Sequence, residues 1–175
     1  MSNYAFQELE AAVLGRNPLL AEKLQPPLSD SFIHQRLQQA GVQGALDPIM
    51  QLYSWKNGTV MDTETALSET SFFPGLTYQL LDLETALQHL EELNQAAAYH
   101  PTLSKMAGRY VPLFWDGSTG YLVLDTTPSD HNRVMMFQME SEEPLQEAYT
   151  SFEEFITDAI RANQEDDSLI CFQSE

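Results

Sequence analysis

Residues 111–125, VPLFWDGSTGYLVLD, decide how this chain is read. Val111 to Trp115 and Tyr121 to Asp125 are short runs of β-branched and aromatic side chains, the composition that suits a pleated, half-buried surface. Between them, Asp116-Gly117-Ser118-Thr119-Gly120 is a compact turn in which two glycines can take positive φ. A β-hairpin is the expectation. Downstream, Val134 to Met139 reads as a third strand, reached through a polar link from Thr126 to Arg133 that holds Pro128. Three strands with short polar connections form an antiparallel meander.

Helical signals surround this core. After the strands, Ser151-Phe152-Glu153-Glu154 matches a capping box, with Ser151 accepting from the amide of residue 154 and Glu154 reaching back to Ser151. Phe152, Phe155, Ile156, Ala159 and Ile160 supply that helix with an apolar face. Before the strands, Asp82 can cap a helix striped by Leu83, Leu87, Leu90 and Leu93. An extended piece from Leu76 to Leu80 precedes it. Asp47 is an N-cap candidate with Pro48 in the first turn, Ile49, Leu52 and Tyr53 on the buried face, and Gly58 at the exit. Ser29 or Asp30 can start a helix carrying Phe32, Ile33 and Leu37, ended by Gly41. A first helix spans 3–14, with Gly15 as its stop, and the three prolines between Asn17 and Pro27 imply an extended link. The tail 163–175 is acidic and is expected to be loosely held. The fold class is therefore α+β: a small antiparallel sheet of three to five strands with helices mainly on one face, in a single domain, 1–175.

Bulk composition bounds the function. At 175 residues and 43% hydrophobic content, a domain can bury roughly 70% of its unfolded surface. Twenty-six acidic residues against eight basic ones give a net charge of −18. That charge opposes unaided binding to nucleic acid or to an anionic membrane and attracts a basic protein. The single cysteine, Cys171, forms no internal disulfide. The start, Met1-Ser2-Asn3-Tyr4, lacks a signal peptide's features, and no run approaches the roughly 18 apolar residues of a membrane span. A cytoplasmic location is expected.

Chemistry is sparse. His34, His89, His100 and His131 are scattered with no helical pairing, so neither a metal nor a cofactor is expected. Asp116 and Asp125 flank the hairpin and Glu140 ends the next strand; the three could converge as an acid/base site, or serve separately as turn and edge residues. Cys171 sits among acids, the wrong surroundings for a nucleophilic thiol. No phosphate-cradling loop is present. A non-catalytic role follows.

Charge is polarised instead. Residues 140 to 175 hold eleven acids and one arginine, against five acids and four bases in the first sixty. Glu142, Glu143, Glu147, Glu153 and Asp158 could form a negative face, or a solvated helix side and frayed tail. Trp55, beside Lys56-Asn57-Gly58, could anchor an interface or pack on the sheet. The candidate partner-binding set is Trp55, Asp116, Glu140, Glu142, Glu143, Glu147 and Glu153.

Four passages taken in order resemble the SUKH superfamily, the fold of Smi/Knr-type cell-wall-assembly regulators and of many bacterial immunity proteins. They are Leu24-Gln25-Pro26-Pro27-Leu28; Leu52-Tyr53-Ser54-Trp55-Lys56-Asn57-Gly58; Pro112 to Gly117 continuing through Gly120 to Asp125; and Val134 to Glu140 followed by Ser151 to Phe155. The likeness runs from about residue 24 to 160, leaving the first 23 residues and the acidic tail outside it. It implies a binding module. The first expectation is an immunity-type protein that neutralises a toxin domain, a basic nuclease being one such target. The alternatives are a regulatory or scaffolding adaptor and, more remotely, a small hydrolase or metal-dependent enzyme.

Overall fold

A computed structural model of the chain describes residues 3–60, 69–97, 108–128 and 132–173. In chain order the elements are α1 (Asn3–Arg16), α2 (Leu20–Lys23), α3 (Asp30–Gln39), α4 (Asp47–Trp55), β1 (Gln79–Leu80), α5 (Leu83–Ala97), β2 (Tyr110–Trp115), β3 (Gly120–Asp125), β4 (Val134–Gln138), β5 (Leu145–Tyr149) and α6 (Phe152–Glu165), closed by a 3-10 turn at Ile170–Phe172. The strands pair in sequence order, β1-β2-β3-β4-β5, and every pairing is antiparallel. This is the expected meander, extended by one short strand at each side.

β3 is buried along its whole length, which explains why it reads as a continuous apolar run and not as an alternation. Leu122 and Leu124 face the main core, whereas Tyr121 and Val123 face a smaller cluster with Leu93, Ala97, Met135 and Phe137. The main core gathers α1, α3, α4 and α6 on one face of the sheet. The C-terminal half of α5 supplies Leu93 and Ala97 to the other. Phe72, Phe73, Phe114 and Phe155 stack at the centre of the main core with centroids 5.1–5.9 Å apart.

Several local expectations are met with different chemistry. α3 starts at the Ser29 cap and Gly41 leaves it at φ +72°, but Phe32 is 40% exposed. Asp47 is the first residue of α4 and not its cap; Leu46 holds the cap position without a side-chain bond. Ser151 caps α6 through the Glu154 amide, while the Glu154 carboxylate goes to the amide and hydroxyl of Thr150 and not to Ser151. The described part of the tail, up to residue 173, is tied down. Leu169 is fully buried, the Ile170 amide donates to Asp158, and Phe172 packs on Tyr78 at 5.6 Å. Acidic composition hid those three anchors. Residues 61–68, and His100 and His131, lie outside the described residues.

Two glycines show what local geometry costs. α1 runs through Gly15, which has open space where a side chain would go, so it is not the expected stop. Gly58 has φ +82°, and a Cβ there would lie 2.3 Å from the Asp82 amide nitrogen. That contact is enforced because Asp82 is the expected cap of α5, accepting from the Thr85 amide, while Asn57 accepts from the Leu83 amide and the Gly58 carbonyl accepts from the Gln25 amide. In urea unfolding, Gly58→Ala is expected to cost about 2 kcal/mol, whereas Gly15→Ala should add about 0.5–1 kcal/mol.

Candidate functional site

The candidate residues distribute between the two ends of the sheet. At one end lies the β2–β3 turn. Asp116 Oδ1 accepts from the amides of Ser118 (2.8 Å) and Gly120 (3.0 Å), and Trp115 Nε1 donates to the Ser118 carbonyl at 2.9 Å. Of the two glycines expected to relieve positive φ, only Gly117 does so; Gly120 is needed because a Cβ would lie 2.3 Å from Asp116 Oδ2. Asp116 thus builds the turn. The register Gly120↔Gln138 brings the β4–β5 turn to the same end, and with it Glu140, Glu142 and Glu143, all exposed.

At the other end, Asp125 is 2% exposed and fully occupied. Arg109 approaches it with two parallel bonds of 2.9 Å, Arg133 Nη2 donates at 3.0 Å, and the Thr127 amide donates at 3.0 Å. Burial alone would raise this carboxyl, but the bonds from Arg109, Thr127 and Arg133 outweigh it and hold it well below the usual carboxylate range. Arg133 also pairs with Glu147 at 3.0 Å, and the Arg109 guanidinium lies 5.0 Å over the Tyr110 ring. This knot lies outside the expected partner-binding set. Its signal was available, since a meander brings the residue before β2, the end of β3 and the residue before β4 to one edge.

Asp116 and Asp125 therefore stand at opposite ends of β3, roughly 17 Å apart by strand rise. The expected convergence of Asp116, Asp125 and Glu140 into one acid/base site does not occur; only Asp116 and Glu140 share an end of the sheet. A cleft of about 590 Å³ between α3 and α5 is lined by Arg36, Gln39, Glu84, Gln88 and Asn94 among others. Its arginine is already bound by Glu84, which leaves the cleft without a free cation. Among the described residues no group of three His, Cys, Asp or Glu side chains could hold a metal. Burial pushes the Cys171 thiol up, a shift that Tyr149 opposes and the nearby Asp158 reinforces.

Trp55 is half-buried. Its ring packs on Phe6 and Phe72 at 5.3 and 6.2 Å, and its Nε1 donates to Glu10, which also binds Lys56 at 2.9 Å. The structure gives it a packing role. Asp158 is also removed from the surface set: it is buried and accepts from the Tyr149 hydroxyl, Arg161 and the Ile170 amide.

What remains exposed forms a band along β5. Glu140, Glu142 and Glu143 stand at its start, Glu147 lies within it, and Glu153 follows its end in the first turn of α6. Six cations are held by the protein's own groups: Arg16 by Asn163 and the Ser71 carbonyl, Arg36 by Glu84, Lys56 by Glu10, Arg109 by Asp125, Arg133 by Asp125 and by Glu147 of the band, and Arg161 by Asp158, Glu165 and Asp167. Glu140, Glu142, Glu143 and Glu153 have no ion pair with any described residue.

No helix among the described residues is long and apolar enough to cross a membrane. No family model matches the chain, and a search of curated proteins finds no match.

Proposed function

We propose that this chain is a non-catalytic, cytoplasmic protein-binding module of the immunity type, which neutralises a basic toxin domain by covering it. The observation that carries the reading is the sorting of charge: six cations are held by the protein's own groups while Glu140, Glu142, Glu143 and Glu153, along one side, have no ion pair with any described residue. Such a surface repels phosphate backbones and draws in a partner rich in lysine or arginine. For a nuclease, the band would occupy the place of the nucleic acid. The resemblance to SUKH proteins supports a binding role, and the separation of Asp116 from Asp125 weakens the hydrolase alternative.

Affinity capture at low salt tests this reading. Wild-type protein should retain a stoichiometric basic protein that added salt releases and that is toxic when expressed alone but harmless when co-expressed with this chain. The triple variant Glu140→Gln, Glu142→Gln, Glu143→Gln should lose at least about tenfold in affinity if the three carboxylates together contribute about 1.4 kcal/mol. Capture of cell-wall or signalling proteins, with no toxin among them, would favour the adaptor. A retained partner indifferent to both salt and the triple substitution would remove the acidic band from the account.

A further inference from the structure

We propose that the open edge of β5 receives an extended, basic segment of the partner as an added antiparallel or parallel strand, so that the sheet itself is the binding device. This rests on the reading of the chain as a binder of a basic protein, and it names how that partner is held.

Both edges of the sheet are strands, but they are not equivalent. β1 has two residues, and its outer side is already used, because the Thr59 amide donates to the Leu80 carbonyl at 2.8 Å. β5 has five residues and pairs only with β4. The Gln138 amide donates to the Pro144 carbonyl at 2.8 Å, and Leu145 is opposite Phe137. In an antiparallel ladder this register turns the amide and carbonyl of Gln146 inward to Met136 and those of Leu145 and Glu147 outward. No hydrogen bond from a described residue reaches the outward pair. An unpaired row of this kind is a template for another strand.

Charge selects the occupant. Glu142 and Glu143 precede the edge, Glu147 lies on it and Glu153 follows it. Antiparallel pairing with a second copy would set Glu142 and Glu143 of one chain beside Glu153 of the other, in molecules each carrying −18. The bulge opposite Val134 and Met135 further hinders a long, regular self-pairing. A strand with lysine or arginine at its two ends meets opposite charge at Glu142 and Glu143 on one side and at Glu153 on the other, while Glu147 in the middle is held by Arg133.

The probe is a synthetic peptide of about ten residues alternating lysine and valine, with two versions N-methylated at every second residue in opposite phase. At low salt the parent peptide should slow amide exchange at Leu145 and Glu147. One N-methylated phase should bind about tenfold more weakly, since it loses the donors that face β5, and the other should bind like the parent. The double variant Glu142→Lys, Glu143→Lys should weaken the parent without changing the difference between phases. Equal binding of both phases, with Leu145 and Glu147 still exchanging freely, would overturn edge pairing and leave the acidic-band reading standing. No binding of any peptide at low salt would overturn both. Protection of the two amides without peptide, growing with protein concentration, would assign the edge to a second copy and overturn the proposal.

Discussion

Phe155→Ala is expected to destabilise the protein by about 4 kcal/mol and lower its melting temperature by about 8–16 °C. Phe155 is fully buried and its ring touches four others, with centroids at 5.9 Å to Phe73, 5.6 Å to Phe114, 5.4 Å to Tyr149 and 5.9 Å to Phe152. Those contacts join α6, the segment before β1, β2 and β5. Truncation removes the transfer energy of the ring and leaves a cavity that fixed strands cannot close. A loss of this size is a large part of the 5–15 kcal/mol that holds a typical domain together. Phe32→Ala is the internal control. Its ring is 40% exposed, and the change should stay within about 0.5 kcal/mol. Urea unfolding of both variants measures the contrast.

Asp125→Ala should cost about 3 kcal/mol, the second-largest effect. The substitution leaves Arg109 and Arg133 facing each other with their common anion gone and frees the Thr127 amide. Both guanidinium groups are 39% exposed and regain water, which places the cost at the lower end for a broken buried pair. The same residue fixes the sign of the acid response. Its folded-state pKa is depressed, so its contribution is complete above the unfolded value of about 4 and is lost as pH falls through the folded value. Thermal melts between about pH 5 and pH 2 should therefore show wild-type protein losing stability more steeply than Asp125→Asn. Parallel acid limbs for the two proteins would contradict the knot.

The strongest sequence signals were those in which local chemistry and burial agree. The hairpin around Asp116 was legible because β-forming runs and a glycine-bearing turn coincide, and α5 and α6 because an apolar stripe follows a capping residue. β5 was not, since Leu-Gln-Glu-Ala-Tyr carries a polar pair on an edge that only one neighbour supports. The tail misled for a related reason: Leu169, Ile170 and Phe172 are held by Asp158 and Tyr78, partners remote in sequence. At the candidate site, the acidic polarity was visible as composition. Its sorting was not. Asp158 and Trp55 are taken inward by Tyr149, Arg161, Phe6 and Glu10, while the glutamates around β5 stay outside. Only the register of the meander separates Asp116 from Asp125 and gathers Arg109 and Arg133 onto the latter.

The most direct test of charge-steered binding is the association rate of the purified partner, measured against ionic strength for wild type and for the Glu140→Gln, Glu142→Gln, Glu143→Gln variant. Steering predicts a wild-type rate that falls steeply with added salt, a shallower fall for the variant, and convergence of the two at high salt, where the Debye length shrinks to about 3 Å. A wild-type rate that does not change with ionic strength would contradict the account.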